Sequence, residues 1–136
     1  MTVAIVCGGR DFTDEARIFE ALDDLHASSP FTLIKHGAAR GADMLAAKWA
    51  DLHSIAAQPF PAEWDNVGHP EARVKSTRDG RKYDANAGPR RNREMLASGA
   101  DTVIAFPGGG GTEHMTGIAI EAVRRGGVKR LVVLSP

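Results

Sequence analysis

DTVIAFPGGGGTEHMTGIAIEAV, residues 101–123, joins an apolar run to an amphipathic one through four consecutive glycines. Val103 to Phe106 has the unbroken hydrophobicity of a strand buried on both faces. Beyond the glycines, Met115, Ile118, Ala119, Ala122 and Val123 recur three and four residues apart, which predicts a helix with one apolar stripe. A strand passing directly into a helix is the repeating unit of parallel α/β sheets. Four glycines exceed what such a turn needs, because one or two suffice and each costs order on folding. The alternative to a mere tight turn is close approach of a ligand to the main chain. A glycine loop that opens a helix offers unpaired N–H groups and the positive end of the helix dipole, both suited to phosphate. Pro107, Gly108, Gly109, Gly110, Gly111 and Thr112 are therefore candidate ligand-binding residues. No lysine follows them as a G-x-x-x-x-G-K-[ST] loop requires, and the spacing is not G-x-G-x-x-G, so ATP hydrolysis and plain dinucleotide binding are not indicated.

Working outward, the same alternation repeats. Val3 to Val6 reads as a buried strand ended by Gly8 and Gly9. DFTDEARIFEALDDLH (11–26) places Ile18, Leu22 and Leu25 at helical spacing. FTLIKHG (31–37) is strand-like, GADMLAAKWADLH (41–53) sets Leu45, Trp49 and Leu52 on one stripe, and SIAAQPFP (54–61) is a weaker strand. GPRRNREMLASG (88–99) has a proline suited to a helix's first turn and a glycine suited to its end. KRLVVLSP (129–136) supplies a last strand. Five alternations predict an α/β domain with a mostly parallel sheet of about five strands and helices on both faces. Ligands in such sheets gather outside the carboxyl ends of the strands. CGGRDF, HGAARGAD, FPAEWDNVGH and FPGGGGTEH all fall there. Residues 69–86, polar and without a clear period, are expected to form a long loop inserted over the strand ends.

The 136 residues suit one domain, and 17 basic against 17 acidic side chains give no global attraction to nucleic acid or anionic lipid. Any anion site must be local, and a nucleic-acid partner is not expected. The single cysteine, Cys7, cannot form an intramolecular disulfide, which fits a reducing compartment. The apolar start is too short for a signal peptide and no run reaches the ~18 residues of a membrane span, so a cytoplasmic protein is expected. Five scattered histidines form no ligand pair, so neither a metal nor any other cofactor is expected.

Several residues near the strand ends have chemistry suited to a nucleotide. Gly8 and Gly9 form a second glycine turn. Arg10 can hold a phosphate or a ribose hydroxyl, while Asp11 suits a helix cap. Gly37 and Asp43 bracket small residues that admit a ligand or allow tight helix packing, and Asp43 is equally explained as a first-turn acid. Trp64 can stack on a base, with Asp65 beside it for base or sugar, although tryptophan is commonly a packing residue. Arg90, Arg91, Asn92 and Arg93 crowd one helical turn. Arg91 shares a face with Met95 and so lies beside buried structure, and Arg90 and Arg93 read more simply as solvated charge, although the place of this turn beside the glycine loop also makes Arg90 and Asn92 candidate phosphate-binding residues. Glu113 and His114 stand nearest the glycines as proton-transfer candidates.

CGGRDF, GAARGAD, FPAEWDNVG, AGPRRNREML and GADTVIAFPGGGGT together resemble the SLOG superfamily, and most closely its small single-domain branch named after YspA. The resemblance runs in order over nearly the whole chain except residues 69–86. It implies a Rossmann-like fold over 1–136 that binds a nucleotide or nucleotide-derived ligand, with the glycine loop on a phosphate, and it implies homodimers, common in the superfamily. A related branch hydrolyses the N-glycosidic bond of nucleoside monophosphates with an arginine from R-x-x-x-M and a glutamate from P-G-G-x-G-T-x-x-E. Arg91 with Met95 matches the first, and Pro107 to Thr112 match most of the second. Met115 occupies the glutamate's position and cannot accept a proton or stabilise a cation by charge. Arg91 and Glu113 are the catalytic candidates if hydrolysis occurs, and Glu113 sits two residues early, on a different side of an ideal helix.

Overall fold

A computed structural model describes residues 2–135. Its strands and helices follow one another as β1 (Thr2–Cys7), α1 (Glu15–Ser28), β2 (Phe31–His36), α2 (Ala42–Leu52), β3 (Ala56–Pro59), β4 (Val74–Ser76), β5 (Lys82–Asp84), α3 (Ala87–Ala97), β6 (Thr102–Ala105), α4 (Gly110–Arg124) and β7 (Arg130–Val133). Five strands form one sheet in the order β3-β2-β1-β6-β7. Every pairing in it is parallel. The five strands expected from apolar runs are the five strands of this sheet.

Strand periodicity divides the core. In β1, Ala4 and Val6 face one cluster with Ile18, Leu22, Ile34, Trp49, Ile104 and Phe106. Ile5 and Cys7 face the other, with Met95, Val103, Ala105, Met115 and Ala119. Successive side chains of a strand point to opposite faces, so two apolar sets on one strand require cover on both. Helices α1 and α2 cover the first face, and α3 and α4 the second. Lys35, buried in β2, donates from Nζ to Ser98 Oγ (2.8 Å) and to the carbonyls of Ser98 (3.2 Å) and Gly99 (2.6 Å). A strand ammonium thus satisfies main-chain acceptors just past α3, where positive charge is favoured.

Three local expectations are corrected. Asp11 does not cap α1. The helix starts at Glu15, so Asp14 holds the cap position and accepts from Arg17 N at 3.1 Å, while Asp11 pairs with Arg40 at 3.0 Å. Residues 8–13 are spent instead on a loop that lays Phe12 against Phe106, with ring centroids 5.6 Å apart. Residues 69–86 are not an irregular loop throughout, because β4 and β5 pair antiparallel around Gly80, whose φ is +86°. Strands of three residues with mostly exposed side chains leave no periodic signature. Leu52, placed on the stripe of α2, is 63 % exposed at the helix's last residue.

Candidate functional site

The strand order reverses direction at β1: the chain moves from β1 toward β3 on one side and later returns to β6 on the other. Loops leaving β1 and β6 therefore diverge and open a crevice at the carboxyl end of the sheet. A cavity of about 820 Å³ fills it, lined from the loops after β1, β2 and β6, from Trp64, and from the first turns of α3 and α4. That volume is ample for a nucleotide-sized ligand. Gly41 is essential to this arrangement. It has φ +81°, and a Cβ on it would strike the carbonyls of Gly9 and Arg10, so only glycine lets α2 start this close to the first loop.

On the other side, Gly9 N donates to Pro107 O at 2.8 Å and ties the two glycine turns together. A Cβ on Gly108 would collide with the Thr112 hydroxyl and with Gly9 N, which explains that glycine by packing. Gly109, Gly110 and Gly111 differ. A Cβ on any of them meets no atom within 4 Å, and no side chain caps α4 at Gly109. The fold itself does not demand these three glycines. Their effect is to keep the first N–H groups of α4, which have no partner within the helix, bare toward the crevice.

Asn92 fixes the height of this loop. Its Nδ2 donates to Gly111 O at 3.1 Å and lies 3.2 Å from His114 Nδ1, while its Oδ1 accepts from Arg91 Nε at 2.9 Å. Arg91 also donates from Nη1 to Gly37 O (2.6 Å) and Phe60 O (3.1 Å), and among the described residues its Nη2 makes no hydrogen bond. Gly37 has no room for a side chain, since a Cβ would run into the Arg91 guanidinium and the Asp43 carboxylate. Asp43 is buried and accepts from Ala39 N at 3.2 Å. Burial raises its pKa from 3.8 to about 6, against the opposing pull of the Ala39 and Gly37 amides and of Arg91 and Arg10. Burial, reinforced by Asp43, pushes the Cys7 thiol up to about 12 despite Arg91. His36, buried with Nδ1 accepting from Ala38 N at 3.0 Å, is held below its ordinary pKa by burial and by Arg91. Burial and then Arg93 do the same to His114.

Trp64 forms part of the outer wall. Its ring packs over Gly88, where a Cβ would press on it, and the Arg10 guanidinium carbon lies 5.4 Å from the ring centroid. Arg10 makes no ion pair among the described residues.

Of the residues singled out from the sequence, Gly8, Gly9, Arg10, Gly37, Asp43, Trp64, Arg91, Asn92 and Pro107 to Thr112 all line the cavity. Asp65, Arg90 and Glu113 do not. Asp65 is exposed and lies 3.7 Å from Arg81. Glu113 is exposed on the first turn of α4. Arg90, a candidate ligand residue otherwise read as solvated charge, is buried away from the cavity: Nη2 donates at 2.8 Å to fully buried Asp84. Removal from water works against the Asp84 carboxylate, yet the Arg73 amide, Arg90 and the Asn86 amide together hold its pKa below the ordinary value. No partner was visible to pair with Arg90 because Asp84 sits in the polar insertion. Cys7, Ala39, Ala85 and Pro89 also line the cavity. Nothing in their chemistry announced this, since they contribute shape alone. Among the described residues no group of three or more His, Cys, Asp or Glu gathers as a metal ion would require, and no helix is long and apolar enough to cross a membrane.

A family model described as the YspA, cpYpsA-related SLOG family matches residues 2–66. The match takes in CGGRDF, GAARGAD and FPAEWD and stops before α3 and the glycine loop. The chain is also 33 % identical over 122 residues to the Gene 61 protein of Mycobacterium phage D29, covering 84 % of this chain and 85 % of that protein.

Proposed function

Since the chain belongs to the YspA, cpYpsA-related SLOG family, we propose that it binds a nucleotide or nucleotide-derived ligand in the crevice between β1 and β6. The amides of Gly109 to Thr112 take a phosphate, Arg10 and Arg91 add charge, and Trp64 stacks on the base or sugar. The observation that carries this reading is the trio of glycines 109–111, which no neighbouring atom requires and which expose the start of α4 to the cavity. A family of nucleotide-related ligand binders supports the same reading. The protein acts as a sensor or sequesters a signalling nucleotide, and a homodimer in the cytoplasm is the form in which it does so.

Binding without cleavage fits the geometry better than N-glycosidic hydrolysis. Met115 is fully buried in the core, and Glu113 and Asp65 stand outside the cavity wall. The carboxylates on that wall are Asp11, paired with Arg40, and Asp43, buried beneath Arg91. Calorimetry with ribonucleoside mono- and diphosphates and cyclic nucleotides is expected to detect binding, and silence across the whole panel would refute it. Chromatography after incubation with nucleoside monophosphates is expected to show them intact. Free base that disappears in Arg91→Ala would establish the hydrolase instead.

A further inference from the structure

The balance of 17 basic and 17 acidic side chains is not kept along the chain. Residues 73–82, most of the β4–β5 hairpin, hold five of the basic ones and a single acid, Asp79. All five, Arg73, Lys75, Arg78, Arg81 and Lys82, are exposed. A protein without net charge can attract a polyanion only through such a local excess.

Strand register sorts these side chains onto faces. Lys75 stands opposite Tyr83, and Val74 opposite Asp84. The ladder runs one pair further at each end, since Ala85 N donates to Arg73 O and Thr77 N to Arg81 O, both at 2.8 Å. Residues two apart on a strand share a face, so Arg73, Lys75, Arg81 and Tyr83 lie on one side of the ribbon. Asp84 is on the other side and turns inward: fully buried, it accepts from Arg90 Nη2 (2.8 Å) and from the amides of Arg73 (2.9 Å) and Asn86 (2.8 Å). That buried anchor fixes which side looks outward. On the outward side three cations surround Tyr83, the only tyrosine of the chain, which is partly exposed. Among the described residues Arg73 and Lys75 form no ion pair, and Arg81 reaches only the exposed Asp65 at 3.7 Å, the kind of surface contact that contributes little. None of the four residues lines the crevice.

Alternate positions on a strand are about 7 Å apart, so the cations form a row, suited to a chain of phosphates rather than to one. An aromatic ring set among them offers a stacking surface to an unpaired base, which a single strand presents and a duplex does not. We propose that the outward face of the β4–β5 ribbon binds single-stranded nucleic acid without sequence preference, with Arg73, Lys75 and Arg81 on phosphates and Tyr83 stacked on a base. The site is separate from the crevice and does not depend on the nucleotide reading above. Fluorescence anisotropy of labelled oligothymidylate and oligouridylate of about 12 nucleotides, with the full chain at low salt, tests it. Dissociation constants of order 10–100 µM are expected, with a log–log salt slope of about −2, as three phosphates neutralised on a single strand give. Lys75→Ala and Arg81→Ala, both at exposed positions, are each expected to flatten that slope by about 0.7. Tyr83→Leu is expected to weaken binding about fivefold or more with the slope unchanged. Should Tyr83→Leu not fold, the two charge variants carry the test alone. A duplex of the same length that binds as tightly would overturn the proposal, because a free base would then play no part. Binding that survives both charge variants also overturns it, as does binding that Arg10→Ala weakens as much as they do, which would place the strand in the crevice. A chain that leaves both oligonucleotides free refutes it outright, and flotation of that chain with phosphatidylserine vesicles would assign the ribbon to a lipid surface instead.

Discussion

Asp43 is a titrating group in the crevice wall whose pKa burial raises. Its carboxyl holds a proton more tightly in the folded chain than in the unfolded one, about 6 against 3.8. Its contribution to stability is therefore complete below pH 4 and erodes as the pH rises through 6, by at most about 3 kcal/mol. Asp43→Asn removes this erosion. In urea titrations the variant is expected to gain on the parent between pH 4 and pH 7, and a stability difference that does not change with pH would contradict the assignment. Cys7 offers a second check at the same scale. With its thiol raised to about 12, the native protein at pH 8 is expected to react with iodoacetamide at least about 100-fold more slowly than the urea-unfolded chain. Comparable rates would mean that the thiol is neither buried nor perturbed. The larger part of the Cys7 effect was legible beforehand, because burial at the end of the apolar run of β1 is its main cause. The smaller contributions of Asp43 and Arg91, distant in sequence, arise only in the folded chain, as does the Asp43 shift itself.

At the level of elements, the start of α4 separates what the fold needs from what a ligand needs. Gly110 has ordinary backbone angles and open space around its Cα. Gly110→Asp replaces a poor helix former and places a carboxylate at a helix N-terminus, which together raise Tm by about 1–4 °C. The same carboxylate repels phosphate, so nucleotide affinity is expected to fall by about tenfold or more. A variant that loses stability, or that binds as well as the parent, would remove the anion-binding role of this turn. The main elements were readable from the sequence because apolar runs and helical stripes are local signals: β1, β2, β6 and helices α1, α2 and α4 follow directly from them, and α3 from the proline and glycine at its two ends. The hairpin of β4 and β5 was not, because three-residue strands give too few positions for a period. Its anchor was hidden too. Arg90 and Asp84 make sense only as a pair, six residues apart across a helix start, and each alone resembles a solvated charge.

Across the whole molecule, the candidate site is a product of strand order. Four peptide loops with no contact in sequence meet because β1 lies at the centre of the sheet with β2 on one side and β6 on the other. Sequence placed each unusual stretch at a strand's carboxyl end, and that was enough to bring most of the wall residues together. It did not disclose which loops fall on which side of β1. Where the chain departs from the hydrolytic pattern, the departure is structural: Met115 is packed among Met95, Val103 and Ala119, so a glutamate there would bring a charge into a filled apolar layer.

The two tryptophans of the chain occupy opposite situations. Trp49 is fully enclosed, its indole N–H donating to Asp23 at 2.9 Å and its ring stacked on His53 at 4.1 Å. Trp64 borders the crevice beside Arg10. The protein consequently carries a built-in optical gauge, with one emitter insulated from solution quenchers and the other responsive to whatever slides alongside it. Acrylamide should extinguish only part of the emission, and Trp64→Phe should abolish that accessible part, so occupancy can be followed by light without attaching a dye.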